Sequence, residues 1–189
     1  MDALMLLTAD HNRVRGLFAR FTEAHEKDDD QLMTELCAQI AMELTVHTQI
    51  EEEIFYPAVQ AAGEQFSEEV SEAVEEHHVV KVLMSELESI EIASEPWVAK
   101  VQVMMENVEH HASEEESEMF PQVRKAMSMD ALVELAERLE ARKAELGAPT
   151  AADKEYLSTD DLKKLAKEQQ IPGRSNMSRD ELVATVAPS

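Results

Sequence analysis

At 189 residues the chain can bury one sizeable core with a small appendage, and its 44% apolar content, 4% aromatics and four glycines favour helices over a β-sandwich or barrel. Its 40 acidic residues against 17 basic ones give a formal charge of −23, which opposes general binding to nucleic acid or an anionic membrane. The single cysteine, Cys37, excludes an intramolecular disulfide and a thiolate-based zinc site. The opening segment MDALMLLTADHNRVRG has neither a basic leader nor an apolar run long enough for an anchor, so a cytoplasmic protein is expected.

In chain order, a first helix is expected from about Asp2 to Glu26, stopping at the run Lys27-Asp28-Asp29-Asp30. A second runs from about Gln31 to Ala62, with Gly63 at its end and Pro57 inside it, where a kink or local break is expected. The third runs from Ser67, read as an N-cap, to about Ala93. Ser94-Glu95-Pro96 reads as a cap with a first-turn proline, opening a fourth helix that reaches about Met127 and carries Pro121. A shorter fifth, Asp130 to Leu146, ends at Gly147. Residues 1–146 thus predict an all-α, up-down four-helix bundle with a short fifth helix. Residues 147–157 read as a linker. Residues 158–189 read as a small helix–extended–helix module, with capping boxes at Ser158–Asp161 and Ser178–Glu181.

The bundle sequence repeats itself. The segment from His11 lines up with that from His77 at an offset of 66 residues, and His47-x-x-x-Glu51 with His111-x-x-x-Glu115 at an offset of 64. A helical hairpin present twice predicts pseudo-two-fold symmetry, not a solenoid. At helical spacing the apolar stripes read Leu4, Leu7, His11, Val14, Phe18, Phe21 on the first helix and Leu36, Ile40, Leu44, His47, Glu51, Ile54, Ala58 on the second. The third gives Val70, Ala73, His77, Val80, Met84, Leu87, and the fourth Val101, Met104, Val108, His111, Glu115, Met119. Every stripe is interrupted by a histidine, and two also by a glutamate one turn later.

Four histidines and two glutamates facing one core need compensation. An ionised carboxylate there costs several kcal/mol even after relaxation, and an unpaired polar group about 1–3. The i,i+4 pairs put both side chains on one face, and imidazole with carboxylate suits iron, manganese or zinc, two inward glutamates pointing to a two-metal site. Each element alone has a bland reading: a lone inward histidine is more often a hydrogen-bonded core residue, and His-x-x-x-Glu is common on acidic helices. Recurrence at equivalent repeat positions favours the metal reading.

The other candidates read as structural. His78 and His110 are rotated about 100° from their neighbours on the helix and take surface or rim positions. His25 is expected in solvent, Cys37 as a packing residue, and the remaining glutamates around Glu51 and Glu115 as a solvated face. Phe55, Tyr56 and Phe120 read as core or boundary aromatics, with Tyr56 as a candidate for lining an access route. The methionines read as core filler.

The order His11, His47-x-x-x-Glu51, His77, His111-x-x-x-Glu115, with Phe55-Tyr56-Pro57 and Phe120-Pro121 after the pairs, resembles the hemerythrin-like HHE cation-binding family over residues 1 to about 145. The resemblance implies a non-haem di-iron centre: two iron ions with an oxo or hydroxo bridge, Glu51 and Glu115 bridging, and His11, His47, His77 and His111 as terminal ligands. It implies no catalytic side chain beyond the ligands. One departure stands out. Oxygen-carrying members place a second histidine four residues after the first on the third helix, where this chain has Lys81. More open coordination positions favour peroxide or oxygen chemistry over guarded reversible carriage.

The C-terminal module resembles Rho-terminator N-terminal and SAP-like helix–extended–helix units, through Leu162, Leu165, Ala166, Ile171-Pro172-Gly173-Arg174, Met177, Ser178, Glu181 and Leu182. Such units often contact nucleic acid, for which Lys163, Lys164, Lys167, Arg174 and Arg179 are the available cations; the balance of six basic against seven acidic residues after Ala152 and the acidic bundle oppose it. The leading expectation is an oxidoreductase acting on O2 or its reduced products, most concretely a catalase-like consumer of peroxide. The alternative is a non-catalytic O2, NO or iron binding, storage or sensing protein signalling through the C-terminal module. A third is a structural or DNA-associated protein whose metal merely staples the bundle.

Overall fold

The computed structural model describes residues 1–147 and 159–186, and every regular element among them is helical. Helix α1 spans Ala3–Glu26, α2 Asp30–Ile50, α3 Tyr56–Ala62, α4 Ser67–Leu87, α5 Glu95–Glu114, α6 Phe120–Ala126 and α7 Met129–Glu145. Helices α8, Thr159–Glu168, and α9, Arg179–Thr185, form the C-terminal pair. The expected second and fourth long helices are α2 with α3 and α5 with α6, each pair joined by a five-residue π turn, Glu51–Phe55 and Glu115–Met119. The fold is the up-down four-helix bundle with a short fifth helix and a small two-helix module.

Local chemistry sets the helix ends. Asp29 caps α2 by accepting from the Leu32 amide at 3.0 Å, and Ser94 caps α5 by accepting from the Trp97 amide, with Pro96 in the first turn. Ser178 and Glu181 form the expected reciprocal capping box at α9. Ser67 does not cap α4: a 3-10 turn at Glu64–Phe66 leads straight into the helix, so Ser67 already has helical backbone. Helix α4 stops at Leu87, short of the expected Ala93, because the chain turns through Ile90 and Ala93, the latter at φ 60. Gly147 ends α7 region at φ 77, a left-handed position that favours glycine. The expected linker from 148 onward and the cap at Ser158 lie outside the described residues.

The described chain divides into two compact units, one of Val14–Ser128 and one of Met1–Arg13 with Met129 onward. In the first, Phe18, Phe21, Leu36, Ile40, Leu44 and Val80 pack with Trp97, Val101 and Met104. Phe21 and Trp97 meet as tilted rings 5.9 Å apart. Arg15 straps α1 to the fourth rod, bonding Glu109 at 2.8 and 3.0 Å and Glu116 at 2.8 Å. In the second unit, Met5 and Ala9 of α1 pack with Leu162, Leu165, Ala166, Leu182 and Val186. Residues 2–7 are consequently buried all round, where a single stripe was expected. Lys143 on α7, fully buried, donates to Asp10 at 2.5 Å, and Arg13 lies 3.5 Å from the same carboxylate. No described helix is long and apolar enough to cross a membrane.

Ile40 is fully buried at the centre of the first unit's core. Ile40→Ala should lower unfolding free energy by about 2–5 kcal/mol, measured by urea titration of the full chain.

Candidate metal centre

The two π turns begin on Glu51 and Glu115, 64 residues apart, the same offset as the motif. Pro57 and Pro121 fall in the first turn of the segment that follows each π turn. The interruption expected at each proline is therefore taken up one turn earlier. A π turn inserts one residue into the helical count, so the inward stripe slips by one. After Glu51 it continues through Phe55 and Val59, both fully buried, and not through Ile54 and Ala58, which are half-buried.

His11, His47, Glu51, His77, His111 and Glu115 are all at most 5% exposed. Within the Val14–Ser128 unit, donor atoms of His47, Glu51 and Glu115 lie within 4.8 Å of one another, and so do those of Glu51, His77 and His111. Glu51 belongs to both groups. His47 Nε2 is 3.2 Å and His77 Nε2 3.3 Å from Glu51 Oε2, while His111 Nε2 is 3.8 Å from Glu115 Oε2. His11 is buried on the α1 segment that belongs to the other unit, three residues before Val14 on an unbroken helix.

Two carboxylates orient the rings. His77 Nδ1 donates to Glu52 at 3.0 Å, and His111 Nδ1 donates to Glu76 at 2.8 Å. A carboxylate only accepts, so both protons sit on Nδ1 and both Nε2 lone pairs face inward. Those two Nε2 atoms stand 3.0 Å apart. A hydrogen bond between them needs a second proton on one ring, whereas a cation satisfies both. Burial above all, then the neighbouring His111 and His47, push the His77 pKa down to about 2, so that ring is neutral and ready to ligate. Nitrogen and oxygen donors without thiolate fit iron, manganese or zinc.

Tyr56 completes the inner wall. Its hydroxyl donates to Glu115 Oε1 at 3.0 Å and lies 3.3 Å from His77 Nε2. Burial, reinforced by the charges of Glu115 and Glu51, raises its pKa well above the ordinary phenol value and keeps it protonated. Phe55 packs edge-on to Phe120 at 5.8 Å and tilted against Tyr56 at 5.7 Å.

Glu52 was expected on the solvated face, but it holds His77 and accepts from Lys81 Nζ at 2.6 Å. Lys81, in the place of a second histidine, thus anchors the carboxylate that fixes the first. Glu76 went unnoticed in the sequence; its position directly before His77 is a weak signal at best. Tyr56 is a hydrogen-bonding member of the cluster and not a simple boundary aromatic. His78 and His110 are exposed as expected, while His25 is half-buried and Cys37 packs beside the core, where burial raises its thiol pKa.

Comparison with known proteins agrees with this geometry. The model of the hemerythrin HHE cation binding domain matches residues 2–123. An uncharacterized protein of Mycobacterium tuberculosis is 30% identical over 154 residues, covering 79% of this chain and 90% of its own length. A counterpart in Mycobacterium bovis matches to the same extent. A DNA nickase of Nostoc sp. is 29% identical over 147 residues, 77% of this chain but 40% of the nickase, so the chain spans well under half of that relative. No solved structure matches significantly.

Glu52→Gln and Glu76→Gln should each leave the helical fold intact and weaken metal binding about 10- to 100-fold, read by competition with a chelator of known affinity.

Proposed function

The chain belongs to the hemerythrin HHE cation-binding family, and from that membership we propose that it is a non-haem di-iron protein acting on dioxygen or its reduced products, most concretely by disproportionating peroxide to water and dioxygen. The observation that carries this reading is the pair of overlapping donor groups sharing Glu51. Glu51 and Glu115 are proposed to bridge two cations, with His11, His47, His77 and His111 as end ligands. For His11 the support is helical phase: it lies one turn before Val14 and two before Phe18, both in the bundle core. When bound, the metal pair supplies the reversible two-electron capacity that peroxide chemistry requires.

The chain's own residues do the rest. Glu52 and Glu76 hold the His77 and His111 rings in the tautomer that presents Nε2. The Tyr56 hydroxyl, kept protonated beside Glu115, offers a hydrogen bond to an oxygen atom arriving in the cluster. Burial of Phe55 and Tyr56 limits water on that side. With Lys81 in place of a further histidine, fewer protein donors surround the pair, which favours turnover over guarded carriage. The cytoplasm is the proposed compartment, in keeping with a single half-buried cysteine.

A second reading, sensing, has one observation in its favour. The C-terminal pair α8–α9 packs on Met5 and Ala9 of the helix that carries His11. A change at His11 therefore has a direct mechanical path to that module. Nicking, named for the Nostoc relative, is not part of the proposal, because a net charge of −23 opposes a phosphodiester backbone.

Iron-loaded protein should consume peroxide with evolution of dioxygen, and His47→Ala and Glu115→Ala should each abolish it; an oxygen electrode reads both. A stable oxygen or NO adduct without turnover, accompanied by altered proteolysis of the α8–α9 region, would select the sensor instead.

A further inference from the structure

We propose that the bundle carries a second, outer cation site formed by Glu76, His110 and Glu114, where a hydrated divalent cation lands before passing to His111 and Glu115. The inference rests on the reading of the buried cluster as a metal centre. His110 and Glu114 repeat the His-x-x-x-Glu spacing of His111 and Glu115 one residue earlier, about 100° around the same helix. Their donor atoms and those of Glu76 lie within 4.8 Å of one another. His110 Nε2 is 3.2 Å from Glu114 Oε1 and 3.8 Å from Glu76 Oε1.

This pair is not a by-product of the duplication. At the equivalent positions of the other repeat stand Val46 and Ile50, both buried and apolar. Of the two repeats, the one with His111 carries the outer donors, and there they adjoin a cavity. That cavity, about 70 Å³, is lined both by Glu76 and Glu114 and by the inner residues His111 and Glu115, with Glu72 and Glu118 adding charge. It has room for a cation with a few waters. Carboxylates around a low-dielectric opening focus a negative potential and raise the local cation concentration.

Glu76 links the two levels. Its Oε2 accepts from His111 Nδ1 at 2.8 Å, while its Oε1 faces His110. One carboxylate thus serves the outer triad and orients an inner ligand. His110 is 67% exposed at its side chain and Glu114 41%, so the outer triad is a weak, rapidly exchanging site. The inner donors are buried and pre-oriented. A cation accordingly lands outside and settles inside.

The test uses the full chain stripped of metal, with Co2+ as the probe of uptake and Mn2+ as the probe of the outer site. In stopped-flow absorption at low salt, His110→Ala/Glu114→Gln should slow Co2+ uptake about 10-fold or more and flatten its salt dependence, with the final amount bound unchanged. Titration of the free-Mn2+ paramagnetic signal, with the inner donors filled, should show one weak site in the native chain that the double variant lacks. Equal uptake rates and equal weak binding in the two proteins would overturn the outer site. Failure of the native chain to take up Co2+ tightly would instead sink the reading of the buried cluster, and the Mn2+ titration alone would then decide the outer triad.

Discussion

The structure depends on two carboxylates with almost no access to water. Glu51 is fully buried and Glu115 is 2% exposed, amid imidazoles at most 5% exposed. Buried carboxylates lose solvation worth several kcal/mol each, which the surrounding groups must offset. The proposed cations, coordinated by the same groups, offset that penalty. The stretches that flank the cluster conform to this demand: π turns begin on each glutamate, prolines follow, and carboxylates behind the rings set their tautomers.

Duplication explains the overall plan, and departures from it supply the chemistry. Tyr56 and Phe120 are repeat equivalents, yet only Tyr56 has a hydroxyl, and it reaches across to Glu115 of the other repeat. Glu52 and Glu116 are also equivalents, but the first holds His77 while the second bonds Arg15. Asp10 and Glu76 precede equivalent histidines, and they part ways as well: Asp10 is engaged by buried Lys143, whereas Glu76 holds His111. Two hairpins with the same motif spacing thereby build a centre with a hydroxyl-bearing side and a side without one.

Much of this was legible in the sequence, for a definable reason. Helical period and a six-residue polar interruption of four apolar stripes are strong signals, because burial punishes bare histidine and glutamate. Helix caps at Ser94 and Ser178 were readable because their chemistry is local. What escaped was whatever depended on register or on partners from another rod. A π turn leaves no mark in the periodicity until its own slip is seen, so Ile54 and Ala58 were expected inward where Phe55 and Val59 are. Glu52 and Glu76 look like any glutamate on an acidic helix; only the packing of α4 against α2 and α5 gives them their rings. The burial of the first turns of α1 on every side escaped as well, because only Leu4 and Leu7 fall on the expected stripe.

The central claim is that the buried cluster is a two-cation site that holds the bundle interior together. Metal content of the full chain, produced with iron and freed of loosely held ions by a mild chelator, tests it most directly. The account predicts about two irons per chain. A folded, helical protein that retains less than one metal per chain would contradict it.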